Sequence, residues 1–148
     1  MAILHPLRPS SPCPCSSGKP YRDCCQPAHK GSLEPERPAD VVRARYSAYA
    51  IGDVDFLWRT LHPKHEDRAL PEDLARRSLE ETSKAFKYPG LTIFSEKVDG
   101  ASAVVTFRAK VFERGRDLSF EEASRFELTG HGWRYLSGDV QHPGKSGR

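Results

Sequence analysis

No apolar run in the chain approaches the roughly 18 residues of a membrane-spanning helix, so no span is expected. Prolines at 6, 9 and 12 interrupt the first apolar residues, so no secretory h-region is expected either. Charge of one sign is scarce: 23 Lys and Arg stand against 20 Asp and Glu, a formal +3. That excess is too small to predict direct nucleic-acid binding. There is no nucleophile motif, no phosphate-binding glycine loop and no internal repeat. Beyond Cys25 there is no cysteine at all, and hence no second metal cluster. A cytoplasmic, soluble protein is expected, and there cysteines tend to stay reduced or bind metal.

What is present is concentrated. All four cysteines, Cys13, Cys15, Cys24 and Cys25, fall in one short window near the N-terminus. Two thiols, a tight polar loop and two more thiols suit a tetrahedral zinc ion. Four zinc thiolates with one dication bring −2, which reduces the +3 to +1. Four thiolates leave no open position, so the zinc expected here is structural and does no Lewis-acid chemistry. A disulfide or free thiols are the alternatives. Pairing Cys24 with Cys25 strains the intervening peptide, Cys13 with Cys15 is scarcely easier, and the two crossed pairings stay open. His29, four residues after Cys25, could replace one cysteine as ligand.

The chain of 148 residues suffices for one ordinary domain and a small appendage. Residues 1–12 read as a flexible tail, 13–30 as the cysteine module and 31–38 as a linker rich in proline and charge. Residues 39–141 read as the domain, and 142–148 as a second flexible tail. Asp40 is a candidate N-cap for a helix that Gly52 stops, with Val41, Ala44, Ala48 and Ile51 at helical spacing. Asp53 caps a second helix carrying Val54, Leu57, Trp58 and Leu61, ended by Pro63. A third starts near Pro71 and runs to about Lys84 with a thin apolar stripe. After Pro89-Gly90 the pattern turns to β: strands over 91–98, 101–113, 117–128 and 133–140, with Asp99-Gly100 as a hairpin turn. Helices followed by antiparallel hairpins make an α+β domain.

The third of these strands breaks the core pattern. Its alternating set is Leu118, Phe120, Glu122, Ser124, Phe126 and Leu128. Glu122 and Ser124 therefore point inward, where a carboxylate is costly unless paired. At 100° per residue Arg45 falls inside the apolar face of the first helix, which suggests an Arg45–Glu122 ion pair. That pair reads first as a structural tie, next as a polar pocket floor. It argues against a general acid, because an arginine partner lowers a carboxyl pKa. Trp133 and Tyr135 alternate inward and, with Tyr46, Tyr49 and Trp58, are most simply core. A cavity lined by such groups would nonetheless be a binding site. His62 precedes a proline at a helix end.

The stretch Cys13-Pro14-Cys15, eight residues, Cys24-Cys25 resembles the SEC-C motif, first recognised at the C-terminus of the bacterial secretion motor SecA. Ser17-Gly18-Lys19 and Tyr21 occupy matching loop positions, although Ser16 stands where the family loop usually has glycine. The resemblance implies that the four cysteines hold zinc. The remainder is similar to the bacterial YchJ-like (UPF0225) proteins through Arg43-Ala44-Arg45-Tyr46-Ser47-Ala48-Tyr49, Leu61-His62-Pro63, Glu122 with Ser124 to Phe126, and Gly132-Trp133-x-Tyr135. Glu121 stands where many relatives have His, so any role of that His is lost here. The resemblance implies an NTF2-like cone, with about three helices against a curved antiparallel sheet that encloses a pocket. That superfamily holds isomerases and dehydratases as well as non-catalytic binding proteins, so the fold does not choose a function.

The expected function is that of a zinc-binding accessory protein. Its cysteine module would dock a protein or ribonucleoprotein partner, since SEC-C modules in the SecA setting engage a chaperone and the ribosome. Lys19, Arg22 and Lys30 would offer positive charge to an acidic surface. The cone would hold a small ligand or partner segment, with Arg45, Tyr46, Tyr49, Trp58, His62, Glu122, Ser124, Trp133 and Tyr135 as pocket candidates. The alternative is a small-molecule enzyme of isomerase or dehydratase type using Glu122 and His62. An open cavity with Glu122 free of Arg45 speaks for the enzyme, and a filled cone with the two paired speaks for the binding protein. A homodimer through the exposed sheet face is a third option.

Overall fold

Prolines set where the first long helix begins. In the computed structural model, which describes residues 3–141, Arg37 is extended before Pro38 (φ −126°, ψ 149°) and the helix starts at Pro38 itself. Asp40 is thus not the N-cap. It lies in the first turn and pairs with Arg43 at 2.9 Å. The elements are α1 (Gln26–Lys30), α2 (Pro38–Ile51), α3 (Val54–Arg59), α4 (Glu72–Ala85), β1 (Lys87–Asp99), β2 (Ser102–Glu113), β3 (Arg116–Asp117), β4 (Phe120–Thr129) and β5 (Gly132–Gln141). The strands form one antiparallel sheet in the order β1-β2-β4-β5, with β3 pairing β2.

Asp53 caps α3 as its residue type suggests, accepting the Phe56 amide at 3.1 Å. The helix stops at Arg59, short of Leu61 and of the expected stop at Pro63, because the chain is captured by β5. The Tyr135 amide donates to the Thr60 carbonyl at 2.9 Å, and the His62 amide donates to the Tyr135 carbonyl at 2.7 Å. The long strand expected over 117–128 is interrupted. The Asp117 carboxylate accepts the Ser119 amide at 2.9 Å, turning the chain between β3 and β4. β1 begins earlier than expected and runs through Pro89, which an edge strand with a register shift accommodates.

Helix α2 is buried on nearly every side: Val41, Val42, Ala44, Arg45, Tyr46, Ser47, Ala48 and Ile51 are all buried. A helix buried all round has neighbours on both faces. One face of α2 meets the sheet, and the other meets the cysteine module and α3. By contrast α4 buries only Ala75, Leu79 and Ser83, so it is a covering helix.

Residues 3–12 and the stretch read as a linker make defined contacts with the rest of the chain. Within residues 3–12, the His5 amide donates to Ile51 O at 2.8 Å. The Pro9 and Ser11 carbonyls accept the Arg22 and Tyr21 amides at 2.9 and 2.8 Å. Inside the stretch read as a linker, Glu34 pairs with the buried Arg134 at 2.9 Å. The tail expected over 142–148 lies outside the described residues, as do residues 1–2. No described helix is long and apolar enough to cross a membrane.

Candidate metal centre and cavity

The cysteine module folds as a turn clamped against α2. The Cys13 amide donates to Lys19 O at 3.0 Å, closing the loop between the two thiol pairs. Ser16 takes a positive φ of 69° at the knuckle, and its hydroxyl accepts the Leu91 amide of β1 at 3.2 Å. The result brings all four Sγ atoms within 4.8 Å of one another. A tetrahedral site with metal–sulfur bonds of ~2.3 Å has S···S edges of about 3.8 Å. The Cys15–Cys24 and Cys24–Cys25 separations of 3.5 and 3.9 Å match such edges. All four thiols are free of disulfides. The donor set therefore fits a thiophilic dication.

Without a cation the thiols must share protons. Hydrogen bonding with Cys15 holds the Cys13 thiol well below its ordinary value, and the same contact pushes Cys15 up to about 12. Hydrogen bonding with Cys25 brings Cys24 down to about 6. His29 is not a ligand. Its Nδ1 accepts the Tyr21 hydroxyl at 2.6 Å and its Nε2 donates to the Ala44 carbonyl of α2 at 2.8 Å. Buried and pinned by both nitrogens, with its pKa lowered mainly by desolvation, it fastens the module to α2. Arg59 of α3 completes the joint, donating to the Ala28 and His29 carbonyls at the end of α1 at 2.9 and 3.1 Å.

On the opposite face of α2 lies a cavity of about 230 Å³. Among the candidates, Arg45, Tyr46, Tyr49, Glu122, Ser124 and Tyr135 line it, whereas Trp58, His62 and Trp133 do not. Trp58 is buried between α3 and the covering segment, with the Arg68 guanidinium 4.3 Å from its ring centroid. His62 turns instead to Glu127 of β4, 2.9 Å away, and its Nδ1 accepts the Lys64 amide. Wall residues such as Thr82, Phe86, Tyr88 and Phe107 come from α4, the residue that follows it, and the first two strands. They carried no sequence signal beyond being apolar or isolated.

The expected Arg45–Glu122 ion pair is not formed. Arg45 Nη1 donates to the Leu57 carbonyl and the Thr60 hydroxyl, both at 2.8 Å, so it closes the open C-terminal end of α3. Its guanidinium stacks over the Tyr135 ring, 4.8 Å from the centroid. Glu122 Oε2 instead accepts the hydroxyls of Tyr135, at 2.8 Å, and of Ser124. Burial pushes the Tyr135 phenol up from its ordinary value, and the adjacent carboxylate adds to this, so Tyr135 remains a donor.

A register shift produces this floor. Arg125 pairs with Ser137 but Phe126 pairs with Tyr135, which leaves Leu136 as an extra residue in β5. The bulge puts Tyr135 and Gly138 on the same face. A Cβ at Gly138 would run into the Glu122 carboxylate and the Tyr135 hydroxyl, so glycine leaves the phenol room to reach Glu122.

Residues 10–27 match the SEC-C motif, and residues 37–138 match the family described as YchJ, middle NTF2-like domain. A UPF0225 protein of Bordetella bronchiseptica is 36% identical over 140 residues, which is 93% of this chain and 98% of that protein. A UPF0225 protein of Deinococcus radiodurans is 34% identical over 128 residues, 86% and 88% of the two chains. Among solved structures, a SEC-C motif containing protein of Rhodopseudomonas palustris is similar with TM-score 0.77 and 28% identity, covering 87% of this chain and 98% of that one. An NTF2-like protein of Cytophaga hutchinsonii, with TM-score 0.54 and 13% identity over 70% and 93% of the chains, shares the fold alone.

Proposed function

Because the chain belongs to the UPF0225 family and joins a SEC-C motif to an NTF2-like domain, we propose that it is a zinc-binding accessory protein. In this reading the cysteine module docks a protein or ribonucleoprotein partner, and the cone binds a small ligand or partner segment. The observation that carries it is the closed set of four sulfurs, all within 4.8 Å of one another. A dication held there has no position left for substrate, so its work is to shape a surface. The outer face of that surface carries the exposed Lys19, Arg22 and Lys30.

The cavity suits a small, largely apolar ligand. Aromatic walls surround one polar floor of Glu122, Ser124 and Tyr135, which is how a pocket combines affinity with orientation. The open cavity and the absence of an Arg45–Glu122 pair meet one condition of the enzyme alternative. Its second candidate is missing, because His62 faces Glu127 outside the cavity.

Docking is tested by affinity capture with the intact module and with Cys24→Ser and Cys25→Ser together. Loss of specific partners is expected, and identical partner sets would overturn the docking reading. Native mass spectrometry of the same intact protein reads zinc stoichiometry and any retained ligand. A zinc content near zero would end the metal reading, and turnover of a retained ligand would move the cone to the enzyme class.

A further inference from the structure

Ser47 is the one α2 side chain whose hydroxyl enters the sulfur cluster. It is fully buried, and its Oγ lies 3.4 Å from Cys13 Sγ and 3.4 Å from Cys25 Sγ. A serine inside a helix ordinarily turns its hydroxyl to solvent or back to a carbonyl one turn earlier. Here it is placed between two thiols that lie 34 and 22 positions before it in the chain. Once the thiols are metal-bound thiolates their sulfurs can only accept, so the hydroxyl has to be the donor.

We infer that Ser47 is a positioning residue of the metal centre: its single O–H, shared between the thiolates of Cys13 and Cys25, is a donor supplied by the NTF2-like domain and absent from the cysteine motif itself. The inference rests on the zinc reading above. Two further observations make the donation specific to this helix. First, Ser17, the only other hydroxyl hydrogen-bonded to a cysteine sulfur among the described residues, lies within the loop at 3.1 Å from Cys24, so Cys24 is served locally. Cys13 and Cys25 depend on α2. Second, the helix cannot drift away from the cluster, because His29 bonds to the Ala44 carbonyl one turn before Ser47. A donor in a dry site stabilises negative sulfur more than it would in water, and second-shell partners of this kind tune metal affinity.

The geometry also ties the metal centre to the cavity. Tyr46, the neighbour of Ser47, presents its ring to the cavity, donates to Lys110 O and accepts the Gly90 amide at 2.7 Å. Gly90 adjoins Leu91, whose amide is held by Ser16 of the cysteine loop. Two contact paths, one through α2 and one through β1, therefore start at the cysteine module and meet at Tyr46 in the cavity wall.

The test uses the full-length zinc-loaded protein and a chromophoric chelator as competitor. Ser47→Ala is expected to weaken zinc retention by about 10–100-fold, and Ser47→Thr, which restores the hydroxyl, to recover most of it. Wild-type affinity in Ser47→Ala would overturn the inference while leaving the zinc reading intact, whereas failure of the wild type to hold zinc would remove that reading first. Should Ser47→Ala not fold, cadmium-113 NMR of the wild type decides. A correlation from the Ser47 hydroxyl proton to the metal through a sulfur is expected, and its absence with the proton otherwise observable would overturn the donation.

Discussion

The Tyr135 hydroxyl reaches Glu122 at 2.8 Å across a strand position that carries no side chain. The contact fixes the only acidic group that the described residues bring to the cavity wall, and it depends on the Leu136 bulge that rotates Gly138 to the same face.

Gly138→Ala should therefore destabilise the domain by about 1–2 kcal/mol, chiefly through loss of the Tyr135–Glu122 bond. The groups in the way are side-chain ends that can move, so a larger steric cost is not expected. Urea unfolding measures this as a lower midpoint with an unchanged slope. A variant as stable as the parent would show that the glycine does not hold the phenol.

Arg45→Met should cost about 2–4 kcal/mol, because it removes two charge-assisted bonds at the end of α3 and the stack on Tyr135. Glu122→Gln should cost less. In a double-mutant cycle the two should couple by under about 1 kcal/mol, where contacting partners reach up to 3. A coupling well above that would restore the ion pair that the geometry denies.

Metal removal should lower the melting temperature of the whole chain in one transition. A ligand at 100 times its dissociation constant adds about 2.7 kcal/mol, and each kcal/mol is worth roughly 2–4 °C at this size. Calorimetry with and without a zinc chelator reads it. An unchanged domain transition would mean that the module is a tethered bead, in spite of Tyr21, His29 and Ser47.

His65 should make stability fall in acid. Burial lowers its pKa from 6.5, opposed by Asp67 and Glu66 and assisted by Arg45 and Arg68. Its Nδ1 accepts the Asp67 amide, and its ring packs against Tyr135. The unfolded chain thus takes up the proton first. This contribution is complete above pH 6.5 and is lost as the pH falls below that value, at no more than about 1.4 kcal/mol per pH unit. His65→Asn, which keeps an acceptor for the Asp67 amide, should flatten the urea-midpoint profile between pH 7.5 and 5.5. Parallel profiles for the two proteins would refute this.

Local chemistry was legible in the chain itself. Thiol spacing marked the cysteine cluster as a candidate metal centre, Asp53 its helix, and the change from helical to alternating periodicity the order of α before β. Alternation also placed Glu122 and Ser124 inward, and helical phase placed Arg45 inward. Those features depend on neighbours within a few positions, and backbone geometry alone brings them out.

What periodicity could not supply was the partner of each inward group. Arg45 pairs with the end of α3 because that helix leaves carbonyls open there, a fact of packing. Ser47 reads in the chain as one small polar residue between Tyr46 and Ala48, and its thiol partners stand 22 and 34 residues away. Gly138 gains its meaning only from a one-residue bulge that no local pattern marks. The four-cysteine cluster and the two periodicities were readable from the chain alone, because both are short-range. That the cysteine module is built into the cone follows from packing, because it rests on a helix buried on both faces and bonded to each side.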